Sequence, residues 1–565
     1  MHDIAFNPIF AAQVLGTSLL DCFYMFRTRL LLQFNRTSFP WIIVPVLFFL
    51  TVVLVESICI LHINGSIFYT QDDPYIHLAL SEKIAEFHYG INIGEPSAPS
   101  SSILWPFLLA AFARFTWHPL VPLAVNIAAQ ATTMAMLYRT MDLSFGSTQP
   151  VLSAVASILI AWCSGQIAPV FTGLEHNLHT SLTVASILGL IILNQQHRLP
   201  RWFLFVLVIA PLVRYEAAAL SLMSIVMIWM RGHRRSATIV LILCVLLLGS
   251  FSAFLKTEGL PLLPGSVLVK LNENLDHGNS YALTLIKTLN LRLAQANERG
   301  VLLGLCLTIL GWVLTGRGGW LTAVTSCVCL LHFIFGAWVE RYLVHLLSIV
   351  LISAIYITAP QISLLSTRRG TMAATQVLLI ASTPLLMHPA SALLKVPGGA
   401  RDVRLQQTEM HRFVVNYWKK PVAVNDIGQV SYHNPFYVLD LWGLSSEDAR
   451  VARQRGERDW ALGLLSRNNV QLAMVFDAWL GSAIPPSWVR LGTLNLDVKP
   501  ATALYKEVAF YADPRAVSQL TGLLREFADT MPTGASFTFT TTSLQLVRPP
   551  SIKDTIRVHA EQARR

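Results

Sequence analysis

Charge is scarce in this chain. Asp, Glu, Lys and Arg make up 13% of its 565 residues, against 53% hydrophobic, and a soluble globular chain carries about twice that charged share. A water-soluble enzyme is therefore excluded as the class of the whole chain, and lipid is its main solvent. Cysteine is missing from the C-terminal part: Cys22, Cys59, Cys163, Cys244, Cys306, Cys327 and Cys329 all precede residue 390 and lie mostly in apolar runs, which argues against a disulfide framework. Cys327 and Cys329, two residues apart, point to different faces of a helix. No glycine loop of Walker or Rossmann type occurs, so no nucleotide-binding unit is expected. The N-terminus lacks the ordered basic region, apolar stretch and small-residue cleavage site of a signal peptide, and the first long apolar run reads as a retained anchor. No basic-aromatic patch accompanies the net charge of +10. The basic residues fall in short clusters between apolar runs, where anionic lipids hold them, and no nucleic-acid partner is expected.

What is present is a series of apolar runs. Eleven are long enough, or nearly so, for spanning helices: 41–63, 120–141, 151–171, 178–195, 202–213, 215–230, 237–255, 299–315, 319–336, 343–360 and 371–388. Arg27, Arg29, Arg36, Arg139, Arg198, Arg201, Arg231, Arg234, Arg235, Arg317, Arg368 and Arg369 all become cytoplasmic if crossings are counted from a cytoplasmic N-terminus. The count requires that residues 103–117 do not cross. Trp105 and Trp117, with Arg114 between them, fit a helix lying in the outer interface; a short true span with shifted neighbours is the alternative. From about residue 398 charge becomes frequent and the apolar runs shrink to strand length. Segments 422–426, 437–441 and 472–476 read as buried strands, with helices near 401–417, 446–467 and 514–530 and edge or antiparallel strand at 536–540 and 544–546. The expected fold class is a polytopic α-helical membrane protein of about eleven spans plus an outer interfacial helix, with a C-terminal soluble α/β domain. It divides into a cytoplasmic segment 1–40, a transmembrane domain 41–388 with outer loop 64–102, and a soluble extracytoplasmic domain 389–565.

The chemistry-bearing residues fall in the outer connections. Asp72 and Asp73 open the first outer loop just before Pro74, Tyr75 and His77. A carboxylate pair at a membrane face suits general-base or hydroxyl-orienting work. Asp before Pro is also a common helix start, so one carboxylate can cap while its neighbour faces a cavity. Later turns present Thr172-Gly173-Leu174-Glu175-His176-Asn177, Arg214-Tyr215-Glu216 and Glu340-Arg341-Tyr342, and a long loop carries Pro264-Gly265 and Lys270. Arg214, Lys270 and Arg341 are outer-face cations against the usual bias of such loops. Arg214 and Arg341 can pair with Glu216 and Glu340, or all three cations together can hold a phosphate at the lipid boundary.

Taken in order, Asp72-Asp73-Pro74-Tyr75, Ser102 to Trp105, Gly173-Leu174-Glu175, Arg214-Tyr215-Glu216, Pro264-Gly265 to Lys270, Arg341-Tyr342, Asp426-Ile427-Gly428 and Asp440-Leu441-Trp442-Gly443-Leu444 resemble the integral-membrane glycosyltransferases of the GT-C fold. The likeness is to the bacterial branch that includes the mycobacterial arabinosyltransferases, and it covers residues 41 to about 450. Pro74, Ile103-Leu104, Tyr215 and Gly265 depart from that branch's pattern, which bears on the sugar and the acceptor. The resemblance implies a polyprenyl-phosphate sugar donor, an acceptor that is an envelope glycan, lipid or protein, and a site at the outer face of a bacterial inner membrane. It implies Asp72 or Asp73 as the catalytic carboxylate and Arg341, Lys270 and Arg214 as donor-phosphate ligands. Glu175 and Glu216 would hold those cations or bind sugar hydroxyls, alongside His77, Tyr75 and Tyr342, and the soluble domain would cover the cavity. No organic cofactor is implied, and a divalent cation is left open. A transporter or flippase of lipid-linked sugars would instead place ionisable residues near the midplane in matching halves, and a noncatalytic glycan-binding scaffold would not need Asp72 or Asp73.

Overall fold

The computed structural model describes residues 39–273, 296–335, 340–364, 368–456 and 459–540; the expectations for residues 1–38 and for a strand at 544–546 lie outside them. The first part is helical. It comprises α1 (Phe39–Asn64), α2 (Asp73–Ala85), α3 (Leu104–Ala110), α4 (Val121–Phe145), α5 (Pro150–Cys163), α6 (His176–Gln196), α7 (Arg201–Val213), α8 (Ala217–Met230) and α9 (Arg234–Thr257), followed by α10 (Gly265–Glu273), α11 (Ala296–Thr315), α12 (Gly319–Phe335), α13 (Val344–Leu364) and α14 (Arg368–Leu405). Among the described residues, five helices are long and apolar enough to cross a membrane: α1, α4 with the turn before it, α6, α9 and α13. Helices α5, α7, α8, α11 and α12 are apolar but shorter.

The burial pattern follows from lipid as solvent. Helix α1 leaves Leu47, Leu54 and Ile58 exposed on its outer face, whereas α6 is buried almost continuously from His176 to Leu193 and forms the centre of the bundle. Two expectations shift. The run 151–171 ends its helix at Cys163, and a separate 3-10 turn follows at Ala168–Thr172. Residues 103–117 form only the seven-residue α3 and a series of turns, about 10 Å of helix and too short to cross. Trp105, expected at an interface, is fully buried in the main apolar core, while Trp117 is exposed.

The tail is a mixed α/β unit. Short helices α15 (Gln407–Arg412), α16 (Gly428–Ser431), α17 (Glu447–Arg455), α18 (Ala461–Arg467), α19 (Asp477–Leu480) and α20 (Val517–Ala528) accompany six strands, β1 (Val422–Val424), β2 (Val438–Asp440), β3 (Leu472–Val475), β4 (Val489–Leu496), β5 (Glu507–Ala512) and β6 (Ala535–Phe539). Their order in the sheet is β2-β1-β3-β5-β4-β6. β1 runs parallel to β2 and β3, and the other pairings are antiparallel. The three parallel strands are the three expected from their apolar runs, and β6 is an edge strand as expected. The helix expected over 446–467 is divided, because Gly456 ends α17 in the left-handed conformation that terminates helices. The expected boundary between transmembrane and soluble parts at 388/389 falls inside α14, which runs through it to Leu405.

The tail packs on the segment between α1 and α3, residues 64–102. Asn92 donates its side-chain amide to the Val438 carbonyl and accepts from the Val438 N–H, both at 2.9 Å, so one side chain completes the backbone pairing of edge strand β2. Thr502 donates to the Thr70 carbonyl at 3.0 Å, and the Pro264-Gly265 turn lies against Leu444, where a Cβ on Gly265 would come within 2.3 Å of the Leu444 carbonyl oxygen.

Candidate active site

Four helix starts meet at one end of the bundle. Asp73 opens α2, whose first turn takes Pro74 because the first N–H groups of a helix need no partner within it. Glu175 precedes α6, Arg214 and Glu216 lie in the break between α7 and α8, and Arg341 and Tyr342 lie in the 3-10 turn Glu340–Tyr342 before α13. Gly173 makes the approach of α6 to α2 feasible. Its φ of +69° favours glycine, and a Cβ there would come within 2.6 Å of the Tyr69 ring and 2.9 Å of Pro74.

These segments join in a chain of contacts. His77 Nε2 lies 3.7 Å from Glu175 Oε2. Glu175 Oε1 accepts from Arg214 Nη1 at 2.7 Å. Arg214 also forks onto Glu216, with Nη2 donating at 2.7 Å and Nε at 3.2 Å, the bidentate geometry in which guanidinium-carboxylate pairs are strongest. The Arg214 guanidinium lies 4.4 Å from the Tyr342 ring centre and that of Arg341 5.4 Å. Arg341 Nη2 donates to Asp73 Oδ2, and its Nη1 donates to Gln71 Oε1. The side chains of Arg214 and Glu175 are 3% and 1% exposed, whereas that of Asp73 is 42% exposed and that of Arg341 18%. The cluster thus has a dry interior pair and a wetter Asp73-Arg341 pair at its rim.

The two members of the aspartate pair diverge. Asp72, at the N-cap position of α2, makes no side-chain cap there. Its Oδ2 accepts from the Gly428 N–H at 2.6 Å and its Oδ1 from the Gln429 N–H at 2.8 Å, both at the start of α16 in the tail. Beside it, Asp426 accepts from Gln407 Nε2 at 2.8 Å and Asn425 Nδ2 at 2.9 Å. Burial, together with Asp426 and Asp73 nearby, pushes the Asp72 carboxyl well above the usual carboxylate range, against the pull of its two N–H donors. Burial, with Asp73 and Asp440 adding to it, brings Asp426 to about 6, while its two amide donors hold it down.

Of the residues expected from sequence, Asp73, His77, Glu175, Arg214, Glu216, Arg341 and Tyr342 come together. Asp72 turns to the tail. Tyr75 stays in the apolar core, with its ring against Tyr69 and Tyr432 and its hydroxyl accepting from the Tyr69 N–H at 3.3 Å. Lys270 falls within α10, and its side chain lies outside the described residues. Sequence reasoning does not find Gln71 as a partner of Arg341, nor His176, whose ring packs 5.2 Å from that of Tyr342; the only signal is position, since each lies one residue from a candidate carboxylate, Asp72 or Glu175. Among the described residues, no group of three or more His, Cys, Asp or Glu side chains is arranged to hold a metal ion.

A family model described as a domain of unknown function (DUF8728) matches residues 400–516, the front of the tail. No curated protein matches the chain. Among solved structures, it is similar to the Archaeoglobus fulgidus oligosaccharyltransferase. In that protein's complex with zinc and sulfate, the match covers 90% of this chain and 77% of that one at 11% identity and a TM-score of 0.45. In its complex with an inhibitory peptide and a dolichol-phosphate, it covers 91% and 78% at 10% identity and a TM-score of 0.42.

Proposed function

We propose that the protein is a membrane glycosyltransferase that moves a sugar from a polyprenyl-phosphate donor to a hydroxyl of an envelope glycan, lipid or protein at the extracytoplasmic face of a bacterial inner membrane. The observation that carries the proposal is the rim pair: a partly exposed carboxylate, Asp73, held by a guanidinium, Arg341, where helices α2 and α13 begin.

In this reading Arg341 turns from Asp73 to the donor phosphate when the lipid arrives, because a phosphate offers the same fork more charge. Asp73, released from the pair, accepts the proton of the acceptor hydroxyl. The hydroxyl oxygen bonds to the anomeric carbon, the bond from that carbon to the phosphate oxygen breaks, and its electron pair leaves with the phosphate. Arg341 neutralises the charge that grows there, and Lys270 supplies a second cation from α10. Arg214, committed to Glu175 and Glu216, acts behind Tyr342 and keeps that ring and the Arg341 turn in place. His77 and Glu216 remain sugar- or acceptor-facing candidates, and Tyr75 supports the loop from the core.

The test is incubation of the purified full chain in lipid nanodiscs with a panel of polyprenyl-phosphate sugars, following release of the lipid phosphate with and without chelator. Release from at least one donor is expected, falling by about 10²- to 10⁴-fold in Asp73→Asn. Undiminished release by that variant removes Asp73 from the chemistry, and failure to turn over any donor in the panel counts against the transferase reading.

A further inference from the structure

Asp72 and Asp73 are adjacent, yet they do different things. Successive residues at a helix start point about 100° apart, and here the divergence separates two environments: Asp73 faces Arg341 at the rim, and Asp72 is 9% exposed against the tail. The local option for Asp72, capping α2, is not taken. Each of its oxygens instead accepts from one backbone N–H of the tail. The fit is close on both sides, since a Cβ on Gly428 would stand 2.1 Å from the Asp72 carbonyl oxygen and 2.7 Å from Oδ2. Contacts on either side place the same loop against the tail: Thr70 with Thr502, Glu82 with the His433 N–H at 3.1 Å, and Asn92 with Val438.

We propose that Asp72 is a positioning residue: its carboxylate latches the soluble domain onto the first outer loop through the Gly428 and Gln429 N–H groups, and this docking sets the neighbouring Asp73 against Arg341. The proposal rests on the transferase reading for its consequence in turnover, but the latch itself can be measured without any substrate. The first Asp of the pair is then a structural acceptor and the second the reacting group. The Asp426-Ile427-Gly428 motif of the tail exists, on this view, to present two free N–H groups and no side chain at the place where Asp72 arrives.

Two variants of the full chain in nanodiscs test it, Asp72→Asn and Gly428→Ala. In Asp72→Asn one acceptor oxygen becomes an amide NH2, a donor facing a donor N–H. Amide hydrogen exchange should rise at least tenfold over residues 70–76 and 427–432 in both, while exchange in α6 stays at the wild-type level. On an active donor, kcat should fall 10- to 100-fold with the KM for the donor unchanged, and the double variant should be no worse than the more damaged single one, since both break one contact. Unchanged exchange with abolished turnover in Asp72→Asn would mean that Asp72 is itself the base and overturns the proposal. Unchanged exchange with unchanged turnover overturns it as well. If the wild type turns over no donor, the transferase reading fails, and the exchange data still decide whether the latch exists.

Discussion

Arg341 sends different nitrogens to Gln71 and Asp73, so its geometry matters as well as its charge. A lysine at this position provides a point charge on a flexible stem and cannot reproduce the fork. Arg341→Lys is therefore expected to raise the KM for the lipid donor about tenfold or more, and Arg341→Gln further, in steady-state assays of phosphate release. The interior pair answers to stability. Glu175→Gln removes one carboxylate from a buried guanidinium and should destabilise the bundle by about 3–5 kcal/mol, read as an earlier unfolding transition in detergent. Part of this is legible in the sequence: Arg214 and Glu216 stand two apart, close enough to suggest their pairing. Glu175 lies 39 positions from Arg214, and nothing local announces that it shares the same cation. The Asp72 and Gly428 motifs were each visible as motifs, but their contact spans 356 positions and belongs to the fold alone.

Among elements, the parallel strands β1 to β3 could be read because each is short and apolar, broken only by Asp440 at the end of β2. β4 and β5 could not. In β4 the register shifts between Arg490 and Gly492, which interrupts the two-residue alternation that marks a strand. The edge of β2 shows how an element is finished by a single side chain. Asn92→Ala should leave the Val438 N–H and carbonyl without their partner, at a cost of about 1–3 kcal/mol, and speed exchange of the Val438 amide specifically. The turn after β1 carries a pH dependence. Asp426 sits at about 6 against an ordinary 3.8, so between those values the folded chain holds more proton than the unfolded one. Its contribution to stability is therefore present below pH 3.8 and is lost as pH rises through about 6. Thermal unfolding followed by a tail fluorophore should show stability declining across that window in the wild type, with the decline reduced in Asp426→Asn.

For the whole molecule, the basic turns and the fold bear on different halves of one question. The turns bear on orientation only through a count of crossings, and several of the helices in that count are shorter than a bilayer requires. The contacts of the tail with Thr70, Asp72 and Asn92 place the tail and the Asp73 loop on the same side, independently of that count. A cysteine at Ser518, exposed in the tail, should accordingly react with a membrane-impermeant maleimide in intact cells, whereas one at Arg231 should react only after permeabilisation. Labelling at both positions, or at Arg231 alone, contradicts the proposed orientation.

The hydrogen bond from Thr502 to Thr70 joins residues 432 positions apart, and Gly399 lies against both, where a Cβ would meet Thr502 at 2.7 Å and Thr70 at 3.2 Å. In the time order of synthesis this is a long wait. At about 5–20 residues per second, roughly 20–90 s separate the emergence of the Asp73 loop from that of the segment that seals it. From the emergence of the turn at Arg341 until that of Thr502 the loop must lie on the bundle without a roof, so its hold on the membrane part, through Gly173, Glu175 and that turn, has to be sufficient by itself. The segment around Thr502 therefore finishes a site whose carboxylate, Asp73, was made about 430 positions earlier.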